Sequence, residues 1–487
     1  MVSEHGAGLL CSAHCCCVCV CVGVPLTLPP HTPPHARCAH YVILTCASGA
    51  PITLTAVAFV QRSYPFTRSG SFEASDPLLT EVWRRAVNTL AAVSDDAYGS
   101  DARERNEWLQ DPAQPNFITT RVALVGPPPA GSTRPAFADA RLLRNLLRHA
   151  ALSQQGDGRI LATFPTDRGP SDCHWFIEDY AMQFVEALRM YYNSTGDLGL
   201  VAELQGVVAG QMAYFAARVQ PATGLLLARE YTSFDDPLAY VTVQGGALNA
   251  FYAQSLRDAA ALASALGQGA QAAAYAAAGA AVAEALQGLW NATAQSYSAG
   301  ILPGGAQAPP QALLLPSVHS ALLALQRGVV PPQRQPGALA FLLANFANPG
   351  GFHCCSNPDS QAMLQQRAGV DFPVVYYWLL SVLYSQDSAE ADALALQEVR
   401  RRWGPMVESS PDIDTLWESF QDSESCHNYG AVPAYFLSTY VLGVHSLPGG
   451  GGALAIEPRL ADLTSAQGVV VTEVGLVGVA WVVGGGR

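Results

Sequence analysis

A helical periodicity that covers most of the chain restricts its fold more than any other sequence feature. From Asp76 to about Leu442, apolar residues recur at three- and four-residue spacing, and Gly- and Pro-rich loops interrupt the pattern. We predict about eleven or twelve helices arranged in pairs, without a repeat period strict enough for a solenoid. The clearest predicted helices are 77–93, 138–153, 179–192, 201–219, 247–266, 270–289, 317–327, 372–384, 389–403 and 429–442.

The two ends of the chain have a different pattern. Residues 41–60 and 468–483 are rich in Val, Ile and Thr, which is typical of strands. The predicted fold class is therefore mainly α, with a helical core between β segments. Residues 484–487 follow the last predicted strand directly, and we expect the C-terminal β module to be truncated.

Composition narrows the classes of function. Half of the residues are hydrophobic and 13% are charged, so the chain can bury a large core. Its net charge of -13 argues against a nucleic-acid partner, because such proteins need a basic face. Beyond the first 40 residues, no stretch reaches the roughly 18 uninterrupted apolar residues of a membrane span.

The first 40 residues form a cysteine-rich leader. Of the 12 cysteines, eight precede residue 50, and 17–22 alternates Cys with Val. We interpret this as low-complexity sequence or an artefact of the gene model. The alternatives are a signal peptide over 9–28 and, less favoured by the cysteine spacing, a zinc site. A signal would imply a secreted or vacuolar protein, and its absence a cytoplasmic one.

Two acidic motifs carry the chemical signal. Residues 98–111 concentrate charged residues around Trp108 in the predicted loop after the first helix, and Trp417-Glu418 lies in the loop before the last one. A Trp face beside hydrogen-bonding side chains suits a sugar ring, and two carboxyl groups are the minimum for glycoside hydrolysis. Each motif alone is also consistent with a salt-bridged loop or simple packing.

The first motif resembles a fingerprint of the alpha-L-rhamnosidases, glycoside hydrolase family 78. That fingerprint runs approximately Asp-Cys-Pro-x-Arg-Glu-Arg-x-x-Trp-x-Gly-Asp, and Arg103, Glu104, Arg105, Trp108 and Asp111 are in register with it. Other segments are similar to further elements of the family, in the same order. They are 70–83, 177–182, 191–197, 234–235, 403–406, 415–418, 427–437, 456–458 and 472–475.

The resemblance implies an (α/α)6 barrel, a six-hairpin toroid, flanked by partial β-sandwich segments. It implies an exo-glycoside hydrolase that removes terminal alpha-L-rhamnose or a related sugar with inversion, using Glu104 as general acid and Glu418 as general base. It requires no cofactor, and no metal ligand motif stands out. The implied substrate-binding residues are Arg103, Trp108, Asp111, Asp179, Asp235, Trp417 and His427.

The implied domains are a leader at 1–40, a remnant of an N-terminal β-sandwich at 41–72, the catalytic barrel at 73–444 and a truncated C-terminal β-sandwich at 445–487. The expected partner is a carbohydrate or glycoside. The sequence does not give the oligomeric state.

One departure from the family keeps two alternatives open. Gly99 stands where the family has its first Asp, which contacts the sugar, so the pocket for the terminal sugar is expected to differ. One alternative is a catalytically impaired carbohydrate-binding protein on the same barrel. The other is a polysaccharide lyase on a similar toroid, with Tyr98 or His427 as base and Arg103 neutralising a uronate.

Overall fold

The structure is a computed structural model. It describes residues 63–100, 107–109, 116–133, 136–166, 168–172, 175–229, 242–302, 315–346, 372–420, 425–446 and 453–484. The predicted leader, the predicted strand region 41–60 and the site residues Arg103, Glu104, Asp111 and Asp235 lie outside these ranges. The predicted domain boundaries stay predictions.

Twelve α-helices lie within the described residues. They are α1 Pro77–Val93, α2 Phe117–Ala123, α3 Arg141–Leu152, α4 Glu178–Thr195, α5 Leu198–Ala216, α6 Gly246–Ala265, α7 Gly269–Ala285, α8 Val318–Gln326, α9 Gln335–Asn345, α10 Val375–Ser385, α11 Ala389–Ser409 and α12 Val432–Phe436. A 3-10 helix (Leu286–Leu289) extends α7, and α12 continues a 3-10 helix (Asn428–Ala431) and runs into a π-helix (Leu437–Val441).

The helices form two layers. Even-numbered helices contact one another in the order α4, α6, α8, α10, α12, α2, and each odd-numbered helix packs against one or two of them. Burial agrees with this division. The first eight residues of α6 are all buried, whereas α7 buries only Gly279 and Val282. The even-numbered helices therefore form the inner layer and the alanine-rich α7 belongs to the outer one. This is the predicted α/α toroid with small sheets.

The strands are short except at the C-terminal end. They are β1 Thr67–Arg68, β2 Ser71–Ala74, β3 Leu124–Val125, β4 Ala228–Arg229, β5 Thr242–Gly245, β6 Trp290–Asn291, β7 Ser296–Tyr297, β8 Gly300–Ile301, β9 Val444–Ser446, β10 Leu454–Ile456, β11 Ser465–Thr472 and β12 Gly475–Val482. β11 pairs antiparallel with β12 on one side and β2 on the other, with Gly468 opposite Phe72. This sheet joins the strand before α1 to the segment after the last helix.

The periodicity locates most helices to within a few residues, and α1 has the predicted bounds. Its start follows from local chemistry, since the Asp76 carboxylate accepts a hydrogen bond from Leu78 N at 2.9 Å and Pro77 occupies the first turn. Two helices, α2 and α9, are absent from the ten clear predictions. The predicted continuous helix 429–442 is instead divided into 3-10, α and π segments.

All inner helices run in the same direction, because an outer helix returns the chain between each pair of them. Their N-terminal ends and the loops that precede them therefore meet at one end of the toroid. Both acidic motifs precede inner helices: 98–111 comes before α2, and 415–418 before the segment that leads into α12. None of the helices in the described ranges is long and apolar enough to cross a membrane.

Arg85 connects the first and last outer helices. Its buried guanidinium donates hydrogen bonds to Glu81 Oε1 at 2.8 Å, to Met406 O at 3.3 Å and to Ser410 O at 2.9 Å.

We predict that Arg85→Ala lowers the free energy of unfolding by about 2–4 kcal/mol, because it leaves buried acceptors unpaired. Urea denaturation measures this. Arg148→Ala, which removes an exposed pair with Glu203, is the control. Equal free energies of unfolding for the two variants would refute the stabilising role of Arg85 between α1 and α11.

Candidate active site

The loop that carries Glu418 is fixed through its backbone. Leu416 N donates to the hydroxyl of Thr89 on α1 at 2.9 Å, and Leu416 O accepts from His427 N at 2.9 Å. The Thr89 hydroxyl in turn donates to Arg85 O at 2.7 Å. Glu418 thus projects from a loop that is held on both sides, with a carboxyl group about one-quarter exposed (23%).

Gly430 allows this loop to approach the inner layer. A Cβ atom at Gly430 would lie 2.4 Å from Leu416 Cβ and 3.1 Å from Trp417 O, closer than normal van der Waals contact. The buried Trp403 indole donates to Gly430 O at 2.7 Å and packs its ring against Phe420 at 5.1 Å. Only glycine fits here without displacing the backbone next to Glu418.

His427 lies beside the Glu418 carboxylate. Its Nε2 is 3.9 Å from Glu418 Oε1, and its Nδ1 accepts a hydrogen bond from Tyr429 N at 3.2 Å. Because Nδ1 is an acceptor, the neutral imidazole carries its hydrogen on Nε2, the nitrogen that faces Glu418. His427 therefore presents a donor to the space around that carboxylate. Trp417, adjacent to Glu418, is 95% buried and is a packing residue as much as a surface for ligand.

The upstream end of the first motif is bonded directly to this loop. Asn428 N donates to Ser100 O at 2.8 Å, and Asn116 Nδ2 donates to Gly99 O at 3.1 Å. The Tyr98 ring is fully buried, and its hydroxyl is 3.0 Å from Thr120 Oγ1. Ser100 thus precedes Glu104 by four residues, a reach of at most about 14 Å of extended chain.

The downstream end of the motif is connected to the same loop, through contacts that run from Trp108 to Tyr429. Trp108 pairs with Thr163 in a β-bridge, and Leu109 N donates to Ala162 O at 3.0 Å. The Trp108 ring stands edge-on to Tyr180 at 6.1 Å, and the Tyr180 hydroxyl is 3.2 Å from that of Tyr429.

Both described ends of the motif are therefore connected to residues 428–429, one by a backbone hydrogen bond and the other through the rings of Trp108 and Tyr180. Glu104 lies between these ends, outside the described residues, so the structure gives no position for its carboxyl group.

Asp179 lies in the first turn of α4, next to Tyr180. Its side chain is fully buried, and neither carboxylate oxygen has a hydrogen-bond partner among the described residues. Burial raises the pKa of Asp179 to about 8, and the neighbouring charge of Glu178 adds to the shift. Burial therefore favours the protonated form of Asp179, which is able to donate a hydrogen bond.

Sequence reasoning missed a set of buried polar side chains near the N-terminal ends of the inner helices. Each retains at least one polar atom without a hydrogen-bond partner among the described residues, which is unusual for buried groups. They are Asn116, Thr119, Thr163, Glu178, Gln183, Ser298, Ser320 and Asn428. In Asn428 both side-chain atoms are unpaired. No local sequence signal marks them, because each is a common polar residue that becomes notable only through its burial.

Of the predicted site residues, the structure brings Trp417, Glu418 and His427 together. It connects Trp108 to them through Tyr180 and Tyr429, and Asp179 precedes Tyr180 in α4. The other four lie outside the described residues. Within the described part of the chain, no cluster of three or more His, Cys, Asp or Glu side chains is arranged to hold a metal ion.

Comparison with known families identifies one match. Residues 67–354, more than half of the chain, match the bacterial alpha-L-rhamnosidase 6 hairpin glycosidase domain. This range includes the first acidic motif and the first nine helices. No curated protein matches the chain.

Solved structures with the same fold are longer than this chain. A family 78 rhamnosidase of Bacillus sp. GL1 is 22% identical, with a TM-score of 0.70 over 86% of this chain and 41% of its own. A rhamnosidase from Klebsiella oxytoca with rhamnose bound is 22% identical, with a TM-score of 0.57 over 76% and 66%. The Streptomyces avermitilis alpha-L-rhamnosidase complexed with L-rhamnose is 18% identical, with a TM-score of 0.62 over 86% and 37%.

The buried carboxyl groups predict an unusual pH dependence of stability. Burial raises the pKa of Glu107, Glu178 and Asp258 to about 7, and that of Asp179 to about 8. The native state therefore holds more protons than the unfolded chain, in which carboxyl groups titrate near pH ~4. The free energy of unfolding should fall as pH rises from about 4 to about 8.

Asp179→Asn should reduce this slope by up to ~1.4 kcal/mol per pH unit within that window, because one titrating group is removed. Denaturant unfolding between pH 4.5 and 8.5 measures the slope. Glu203→Gln, at the surface, is the control and should leave it unchanged. A wild-type protein whose stability rises steadily across the window would contradict the assignment.

Gly430→Ala tests the position of the Glu418 loop. The added methyl group has no room against Leu416, so the backbone at 416–418 must shift, and we expect a loss of about 1–3 kcal/mol of stability. In a crystal structure of the variant, Glu418 should move relative to His427. Gly206→Ala, on the exposed face of α5 where a Cβ meets open space, serves as the control. Indistinguishable loop positions in Gly430→Ala and wild type would refute the close approach.

Proposed function

Because this chain belongs to the bacterial alpha-L-rhamnosidase six-hairpin glycosidase family, we propose that it is a glycoside hydrolase. Its proposed substrate is a terminal alpha-L-rhamnoside, or the glycoside of a related sugar, and its proposed reaction inverts the anomeric configuration. The observation that supports this best is the hydrogen bond from Asn428 N to Ser100 O, which joins the segment before Glu104 to the segment after Glu418.

Glu104 is the proposed general acid, which protonates the glycosidic oxygen as the leaving group departs. This role requires a carboxyl group that stays protonated near neutral pH. The described residues on either side support this proposal: Tyr98, Ser100 and Leu109 are buried and Trp108 is partly buried, so they limit the access of solvent.

Glu418 is the proposed general base, which removes a proton from the attacking water on the opposite face of the sugar. Two features support this role. The carboxyl group is partly exposed, so water and substrate can reach it, and His427 Nε2 faces it at 3.9 Å. A donor at that distance helps to orient the carboxylate or a water molecule between the two groups.

The remaining predicted residues would bind the sugar. Trp108, whose ring packs against Tyr180 and lies beneath the Arg168 guanidinium at 5.1 Å, would contact the sugar with its remaining surface, and protonated Asp179 would donate a hydrogen bond to a sugar oxygen. Arg103, Asp111 and Asp235 are proposed to complete the pocket. The unpaired buried amides and hydroxyls at the same end of the toroid suit a ligand with several hydroxyl groups, because each can pair with one.

The buried position of Tyr98 argues against the lyase alternative in which Tyr98 is the base. Its hydroxyl is buried against Thr120, and burial raises its pKa far above the ordinary range for a tyrosine. A base with neither access to substrate nor a suitable pKa cannot remove a substrate proton. Two alternatives remain. A lyase with His427 as base would release a product that absorbs light through a new double bond, and a protein that binds sugar without hydrolysis would show no turnover.

The test compares Glu104→Gln, Glu418→Gln and the control Glu203→Gln on two rhamnosides, one with a poor and one with a good leaving group. We expect Glu104→Gln to lower kcat by ~10³-fold on the poor leaving group but far less on the good one, since only the former needs an acid. Glu418→Gln should lose a similar factor on both, because both need the activated water.

Proton NMR of the first anomer released should show inversion. Release of the retained anomer would refute the mechanism, as would unaltered turnover in both site variants. Sugar binding by calorimetry without turnover of any glycoside by the wild type would instead identify the non-catalytic alternative.

A further inference from the structure

Glu107 and His149 form a partly buried hydrogen-bonded contact next to Trp108 of the candidate active site. Glu107 is 93% buried, and its two carboxylate oxygens lie 2.9 and 3.1 Å from His149 Nδ1. His149 lies in the last turn of the outer helix α3. Sequence analysis left both residues without a role, and the proposed reaction does not use them as acid, base or sugar ligand.

This contact is attached to the segment that carries Trp108. Residues 107–109 are extended and pair with 162–164: Phe164 N donates to Glu107 O at 3.2 Å, and Leu109 N donates to Ala162 O at 3.0 Å. Successive side chains of an extended segment point to opposite sides. Glu107 accordingly contacts the outer helix α3, while Trp108 contacts Tyr180 on the inner helix α4.

The charges around the pair explain why it holds this position. Burial raises the pKa of Glu107 to about 7, the bond to His149 opposes that shift, and Asp96 and Asp95 from the loop after α1 add to it. A buried carboxyl group among acidic neighbours is costly unless it keeps a proton or a hydrogen-bond partner. His149 supplies that partner, so moving Glu107 away from α3 would leave both groups unsatisfied.

We propose that Glu107 and His149 are a positioning pair, which fixes residues 107–109 to α3 and thereby orients Trp108 in the candidate active site. The pair acts through these neighbours and does not touch the substrate. The catalytic part of this inference rests on the function proposed above, whereas the anchoring of the segment does not.

The test uses four variants of the full chain. Glu107→Leu removes the hydrogen bond at similar volume, and His149→Leu removes it from the other side. Glu107→Gln keeps a side chain able to bond to His149 Nδ1. Arg148→Gln is the matched control, because Arg148 is the neighbouring residue on α3 but pairs with Glu203 at the surface.

Hydrogen–deuterium exchange of the Leu109 and Phe164 amides reports the anchoring without any substrate. Both leucine variants should exchange these amides ~10-fold faster or more, because local opening becomes easier, while Glu107→Gln and Arg148→Gln should remain close to wild type. Unchanged exchange in Glu107→Leu and His149→Leu would overturn the proposal. If one leucine variant does not fold, amide exchange in the other leucine variant tests the proposal.

Steady-state kinetics on a rhamnoside report the catalytic consequence. Glu107→Leu should lower kcat by ~10- to 100-fold and raise KM, because a displaced Trp108, a proposed sugar contact, both weakens binding of the sugar and misorients it for the chemical step. Glu107→Gln should recover most of that loss. Equal impairment in Glu107→Gln and Glu107→Leu, or faster exchange with unchanged kcat, would overturn the positioning role.

Failure of the proposed function gives a different pattern. If the wild type hydrolyses no glycoside while the exchange results hold, the hydrolase assignment fails and the anchoring by Glu107 and His149 stands. If the wild type is active and the exchange results do not hold, only the positioning pair is refuted.

Discussion

The hydrogen bond from Asn428 N to Ser100 O is the contact on which the account of this site depends. It joins two segments that are more than 300 residues apart in sequence, the one before the proposed acid Glu104 and the one after the proposed base Glu418. The contacts around it are arranged to keep it in place. Gly430 leaves room for the Glu418 loop, Trp403 supports Gly430, and Asn116 holds Gly99 from the other side.

The toroid explains why polar groups collect at this end. An outer helix returns the chain after each inner one, so every inner helix starts at the same end, and loops and first turns concentrate there. Helix N-termini present unpaired N–H groups and favour polar neighbours. Asp179, Gln183 and Asn428 are buried without side-chain hydrogen-bond partners among the described residues. A ligand that supplies hydroxyl groups would offset this cost, which is a physical reason to propose a sugar there.

Local sequence signals predict much of this fold but only part of the site. The apolar spacing locates α1 to its terminal residues, because Asp76 and Pro77 mark its start. It misses α2, which has only seven residues and two central threonines, and α9, whose first turn contains Pro336 and Gly337. The order of motifs suggests that Trp108 and Glu418 share a site. The Asn428–Ser100 bond and the Glu107–His149 contact are not predictable in this way, because they join distant segments whose local sequence carries no trace of the pairing.

A crystal structure of the protein with a rhamnose-containing ligand measures the central claim directly, through the separation of the Glu104 and Glu418 carboxyl groups. The account predicts that they face the anomeric carbon from opposite sides at roughly 6.5–9.5 Å, with a water molecule beside Glu418. A separation of about 5 Å would indicate a retaining enzyme. Carboxyl groups that open into different cavities would contradict the account altogether.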